Sequence, residues 1–229
     1  LSGSFSGLLN RYLMKMTIVA ATKMEVQPLI NELGLVLVGN NKFYSSSDDN
    51  IHVLVTGMGM MQTATHLAIY AMQNQRDLFI DAGVAGAFNR NIAIGEVVQV
   101  ISETYGDFGV EDGDDFKDFY DLGFLDLKED EFQHGLLHPY GLSETIQNEL
   151  NFRKVSSLTV NKVHGKEESI QIIMKKYPAD IENMEGLAFF NVLNILKQPC
   201  IEIRSISNYV ERRNKENWDL PLSLKNLNR

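Results

Sequence analysis

The stretch IEIRSISNYVERRN, Ile201 to Asn214, decides the fold: an apolar run stops abruptly at Ser207-Asn208, and Tyr209 and a charged segment follow. Short hydrophobic runs of this kind are the buried strands of α/β proteins, whose ligands bind beyond the strands' carboxyl ends. Comparable runs occur at Thr17–Ala21, Ile51–Thr56, Leu78–Ala82, Glu96–Ile101 and Ser157–Val160. Helical patterns lie between several of them. In MQTATHLAIYAM (61–72), Ala64, Leu67, Ala68 and Ala71 recur at the spacing of one helix face. EVQPLINEL (25–33) predicts a second helix, which Gly34 ends. KEESIQIIMKK (166–176) reads as an amphipathic helix, and NMEGLAFFNVLNIL (183–196), apolar nearly all round, as a buried one. Strands alternating with helices predict an α/β fold with a largely parallel sheet covered on both faces. No internal repeat or linker divides the chain.

Bulk properties exclude several functions. The 229 residues, 44% hydrophobic and 22% charged, suit one large α/β domain. A formal charge of −9 argues against a nucleic-acid partner, because phosphate backbones are held by Lys and Arg. No apolar run is long enough to span a membrane. The one cysteine, Cys200, opens an apolar run and reads as a buried, reduced thiol of a cytoplasmic protein. The start, LSGSFSGLLNRYLMKM, has no Met at position 1, is rich in Ser and Gly, and lacks the apolar core of a signal peptide. Residues 1–15 are therefore read as an extension and 16–229 as the domain.

The candidate chemistry begins at two glycine-rich turns, TGMG (56–59) and DAGVAG (81–86), each following a strand, where glycine lets backbone approach a ligand. After the first strand a dinucleotide fold needs G-x-G-x-x-G, but this chain has AATKMEV there. No phosphate-binding G-x-x-x-x-G-K-[ST] and no G-x-S-x-G occurs either. Glu25 stands near the start of the first helix, as a dipole-complementing acid or as a general base. Asp180 and Glu182 read as first-turn acids of the buried helix. Glu185, followed directly by Gly186 and an apolar run, must find paired donors in protein or ligand. His52 and His66 read as structural or exposed, and His134 and His138 lack the partners of a metal site. His164 alone follows a strand at a place where ligands bind. From Asp107 to Glu131, eleven acids against two lysines interleave with aromatics, which reads as a packed surface excursion and not as a calcium loop.

Taken together, these stretches resemble the nucleoside phosphorylase and nucleosidase superfamily from Met16 to Leu224. TIVAATKMEVQPL (17–29) resembles the first strand and base-bearing helix of the methylthioadenosine/S-adenosylhomocysteine nucleosidases. VTGMGMMQTATHLA (55–68) and DAGVAGAF (81–88) resemble the two Gly-rich turns, ENMEG (182–186) the ribose-binding motif, and IRSISN (203–208) the last catalytic strand. SNYVERRNKENWDLPL (207–222) is most similar to the futalosine hydrolases, enzymes of menaquinone biosynthesis that release hypoxanthine from a nucleoside with an aromatic carboxylate tail. The resemblance implies a three-layer α/β/α domain around a central mixed, largely parallel twisted sheet. It also implies a cofactor-free, metal-free N-glycosyl hydrolase acting as a homodimer or higher homo-oligomer. Its alternatives are an adenine-specific nucleosidase and a non-catalytic purine-binding protein. The family usually continues into a C-terminal helix beyond LSLKNLNR (222–229), so a truncated end is expected.

By the same resemblance Glu25 activates water, Met184 and Glu185 meet the ribose, and Asn208 meets the leaving base. Ala82, Gly83, Val84, Ala85 and Gly86 line the base pocket, and Val163 and His164 cover the purine. Arg212 and Arg213 are candidates for the substrate's carboxylate tail. Chemistry sharpens the choice of base. A 6-oxopurine presents two acceptors, N7 and O6, toward which an Asn amide offers N–H donors, while an ionised Asp offers none. Asn208 therefore points to hypoxanthine or guanine. Related phosphorylases carry an arginine shortly before the second turn's glycine, where this chain has Asp81, so hydrolysis is expected over phosphorolysis.

Overall fold

The structure, a computed structural model, describes residues 14–38, 43–113, 115–124, 136–142, 146 and 150–229. Among the described residues, ten strands form one sheet. Its main path runs β11 (Ile181–Asn183), β10 (Arg153–Thr159), β6 (Val97–Tyr105), β12 (Cys200–Tyr209), β5 (Leu78–Ala87), β1 (Met16–Ala20), β4 (Ile51–Val55), β3 (Phe43–Ser45), β2 (Val36–Val38). β9 (Leu136–Leu137) adds to β6. The long strands β12, β5, β1 and β4 pair in parallel, while β12–β6 and the β4–β3–β2 edge are antiparallel. The sheet is therefore mixed, with parallel pairing at its centre. β11 also pairs with the far end of β5 through Ala87 and Gly86, closing part of the sheet on itself.

Alternation of side chains along the strands builds two cores. In β1, Val19 joins one cluster with Phe79, Leu67 of α2 (Met60–Gln73) and Phe189 of α4 (Gly186–Ile195). Its neighbours Ile18 and Ala20 face the other, with Val26 of α1 (Lys23–Glu32) and Leu227 of α5 (Leu220–Leu227). A strand buried on both faces reads as a nearly continuous apolar run, as Ile18–Ala21 does, while the buried Thr17 hydroxyl is satisfied by Tyr70 Oη at 2.9 Å. A third cluster gathers Phe88, Leu158, Val160 and Val210 with Ile170 and Ile173 of α3 (Glu167–Lys176).

The structure departs from the sequence reading at three points. DAGVAG is not a turn after a strand: β5 runs without a break from Leu78 to Ala87. Likewise β12 continues through Ser207 and Asn208, with a register shift between Ile206 and Asn208. The glycines mislead because they read as turn residues, yet Gly83 is needed for close approach in an extended strand. A Cβ there would stand 2.1 Å from Arg204 Nη1. Asp180 and Glu182 also do not open the buried helix. Glu182 lies in β11, and α4 starts at Gly186 with Glu185 as its cap.

Of the acidic segment, β7 (Gly109–Asp112) and β8 (Asp115–Asp118) form a hairpin. Phe108 stacks on Tyr105 with centroids 4.8 Å apart and meets Phe119 at 4.5 Å, so the excursion packs on itself and on β6. Phe132 and His134 lie outside the described residues. Cys200 is buried, which pushes its thiol up to about 12. Among the described residues no helix is long and apolar enough to cross a membrane, and no cluster of His, Cys, Asp or Glu is arranged to hold a metal.

Candidate active site

The site forms where the carboxyl ends of β1, β5 and β12 meet the starts of α1, α2 and α4. Thr22 is extended and opens α1, which puts Glu25 in its first turn. Oε2 of Glu25 accepts both the backbone N–H and the hydroxyl of Thr22 at 2.8 Å. Oε1 faces the Val84 N–H of β5 at 3.4 Å, a long and weak contact. Burial raises the Glu25 pKa above its ordinary 4.5, against the lowering effect of the Thr22 hydrogen bonds. One carboxylate oxygen is thus held and the other is nearly free. A desolvated carboxylate with one unclaimed lone-pair direction is suited to take a proton at neutral pH.

Glu185 caps α4 and is 8% exposed. Its Oε1 accepts the Gly59 N–H at 2.9 Å, which ties the TGMG turn to the start of α4. Gly59 has φ +85, in the region that favours glycine, and it caps α2. Met184 is half-buried beside Glu185. The Glu185 Oε2 lies 4.0 Å from Nη1 of Arg204.

Arg204 was not singled out in the sequence, yet it organises the floor of the site. It stands in mid-strand in β12, 1% exposed, and donates through Nε to Glu202 at 2.7 Å and through Nη2 to Asp81. Asp81 and Glu202 are fully enclosed, and burial is the first cause that raises both pKa values well above the ordinary range. Behind Glu202 lies Glu103, whose pKa burial also raises. Glu103 accepts from Thr159 Oγ1 and Asn183 Nδ2 at 2.6 Å each. Glu202 Oε2 has no hydrogen-bond partner among the described residues. A Cβ on Gly186 would stand within 2.5 Å of oxygens from both Glu103 and Glu202, so the two carboxyls crowd the same point. One shared proton between them relieves that crowding. Single acids inside an apolar run were the available signal: IEIR places Glu202 and Arg204 on the same side of one strand.

The residues expected to meet the leaving base lie farther along the same strands. Ala82 and Ala85 are buried and Gly83, Val84 and Gly86 follow β5 between the two halves. Gly83 and Gly86 are three residues apart, about 10 Å along a strand. Asn208 Nδ2 donates to the Tyr209 carbonyl at 2.9 Å, and its Oδ1 accepts from Ser207 Oγ at 2.7 Å. One amide N–H is therefore engaged and the other is left for a ligand. Asn208, Gly86, Val163 and His164 line one cavity of about 60 Å³, together with Glu182 and Trp218. Arg212 and Arg213 are both exposed, and Arg213 borders this cavity with its guanidinium 5.2 Å from the Trp218 ring. The structure thus groups Glu25, Gly83, Val84 and Glu185 around Arg204, and Asn208, Gly86, Val163 and His164 around one small cavity.

Residues 15–229 match the model of the phosphorylase superfamily. The chain is 32% identical over 72% of its length to the futalosine hydrolase of Thermus thermophilus, covering 72% of that protein. It is 25% identical to a 5'-methylthioadenosine/S-adenosylhomocysteine nucleosidase of Buchnera aphidicola, covering 85% of this chain and 84% of that one. Among solved structures, the futalosine hydrolase of Helicobacter pylori superposes with a TM-score of 0.74 over 94% of both chains. At 16% identity, that likeness speaks to the fold.

Proposed function

The chain belongs to the phosphorylase superfamily, and we propose that within it the protein is an N-glycosyl hydrolase that cleaves futalosine, releasing hypoxanthine and dehypoxanthine futalosine. The observation that carries hydrolysis over phosphorolysis is the state of Arg204. Its guanidinium faces Asp81, Glu202 and Glu185, so its charge is already matched and none is left over for a phosphate. Water, activated by Glu25, is the nucleophile this environment accepts. Cleavage builds positive charge on the sugar, which the Glu185 carboxylate is placed to stabilise as it takes the ribose hydroxyls. Negative charge develops on the leaving purine, toward which the free Asn208 N–H donates.

The same reading makes the two helix-bearing cores the outer layers of a three-layer domain and the protein a cytoplasmic homo-oligomer. Support for the oligomer comes from the exposed apolar side chains Met61, Ile69 and Met72 along α2. The discriminating experiment compares futalosine with its 6-amino analogue carrying the same 5′ tail. A 6-oxo preference of about tenfold to a hundredfold in kcat/KM is expected, the worth of one mismatched donor in a closed pocket. Equal rates, or a preference for the amino compound, would move the protein to the adenine nucleosidases. No turnover of either, with tight purine binding, would make it a binding protein.

A further inference from the structure

We propose that His164, oriented by the buried carboxylate of Glu182, reads the N1 edge of the purine and selects the N1–H of a 6-oxopurine. This rests on the reading that the substrate is a purine nucleoside. Glu182 sits in β11 and is 4% exposed, and its side-chain hydrogen bonds among the described residues both come from His164. Oε1 accepts the His164 backbone N–H at 3.0 Å, and Oε2 meets the ring Nδ1 at 2.7 Å. One buried carboxylate thus fixes both the backbone and the ring of a loop residue. Burying a carboxylate is costly, so a charge committed to a single histidine calls for a reason beyond packing.

The reason lies in the tautomer. An ionised carboxylate only accepts, so the proton of the neutral ring resides on Nδ1 and Nε2 is left as an acceptor. Nε2 has no hydrogen-bond partner among the described residues. His164 lines the cavity that holds Asn208 and Gly86, and it also borders a cavity of about 630 Å³ under the β7–β8 hairpin, within the range of small-molecule sites. The Cγ of Glu182 lies 3.7 Å from where a Gly86 Cβ would be, directly under the base side. A 6-oxopurine presents acceptors at N7 and O6 and a donor at N1. A 6-aminopurine presents acceptors at N7 and N1 and a donor on the amino group. Asn208 donating and Nε2 accepting match the first pattern. Against the second, Nε2 would face a lone pair at N1.

The test uses the intact protein and three free bases, hypoxanthine, 1-methylhypoxanthine and adenine, as competitive inhibitors or calorimetric ligands. Hypoxanthine should bind about tenfold or more tightly than either other base, the usual worth of a buried unpaired group. His164→Ala should erase the difference between hypoxanthine and its 1-methyl derivative. Glu182→Gln supplies the most specific readout. Its amide oxygen can keep the His164 backbone N–H while its NH₂ turns to Nδ1, which moves the ring proton to Nε2, as partner chemistry sets tautomers elsewhere. Adenine should then gain affinity as hypoxanthine loses it, shifting their ratio by about tenfold or more. Loss of structure alone would weaken all three bases alike, and that outcome in Glu182→Gln would overturn the proposal. So would a discrimination against the 1-methyl base that persists in His164→Ala. If a variant does not fold, equal binding of hypoxanthine and 1-methylhypoxanthine to the unaltered protein is sufficient to refute it. Failure of every base to bind that protein would instead remove the purine-nucleoside reading as well.

Discussion

In the proposed hydrolysis Glu25 is the residue that activates water, and its two oxygens have different surroundings. Thr22 holds Oε2, while Oε1 has only the distant Val84 N–H. Changing Glu25 to Gln preserves shape and removes the base, so turnover should fall about 10²–10⁴-fold with folding intact. Steady-state kinetics on the variant checks this, and near-normal turnover would remove Glu25 from the mechanism. Because burial raises the Glu25 pKa, the base is lost to protonation before an ordinary carboxylate would be. The acid limb of kcat/KM against pH should therefore lie above the ordinary carboxylate range and disappear in the Gln variant. At this scale the sequence singled out Glu25 and Glu185, charged residues that stand out from their neighbours, and the fold brings both beside Arg204. Arg204 was hidden because a buried strand shows its apolar majority first. Glu103, about 100 positions from Glu202, becomes its neighbour only when β6 and β12 pair.

At the level of elements, strands β5 and β12 carry the site, and their pairing sets how tightly it is built. Gly83 leaves room for Arg204: a Cβ there would lie 2.1 Å from Nη1 and 3.2 Å from Glu25 Oε1. Gly83→Ala should therefore displace a guanidinium that is already fixed by carboxylates, at about 1–3 kcal/mol of stability, and should lower turnover too. Thermal melts and kinetics read both effects, and an unaltered Tm would contradict the packing. The Glu103–Glu202 pair makes a second prediction. A carboxyl whose pKa is raised on folding contributes stability below its unfolded value and loses it as pH rises through the folded one. Glu202→Gln imitates the protonated acid and offers an N–H toward Glu103. At about pH 8 it should raise Tm by roughly 2–4 °C, the shift that about 1 kcal/mol brings in a domain of this size. It should also flatten the decline of Tm with rising pH, and a variant less stable at every pH would refute the shared proton. The six longer strands and four of the helices were legible from apolar runs and hydrophobic period, whereas the short strands β2, β3, β7, β8, β9 and β11 and helix α5 were not. Strand lengths were not legible either, because the glycines that end a strand in one context allow close packing inside it in another.

For the whole molecule, the sheet brings residues from distant parts of the chain to one end. β1, β5 and β12 supply the carboxyl ends, and α1, α2 and α4 begin there with Glu25, Gly59 and Glu185 at their starts. Parallel pairing of β12, β5, β1 and β4 achieves this, and the closure of β11 onto β5 carries Glu182 and His164 to the end of the sheet where Gly86 and Asn208 lie. That closure has no local signature, so the α/β class could be read from the chain while the His164–Glu182 pair could not. The central claim is that the protein uses water, not phosphate, to break the N-glycosidic bond of a 6-oxopurine nucleoside. The most direct measurement runs futalosine with the enzyme in heavy-oxygen water, with and without excess phosphate, and analyses the sugar product by mass spectrometry. The account predicts one heavy oxygen on the anomeric carbon, hypoxanthine in equal amount, and a rate indifferent to phosphate. A sugar 1-phosphate without the label, formed faster as phosphate is raised, would contradict it.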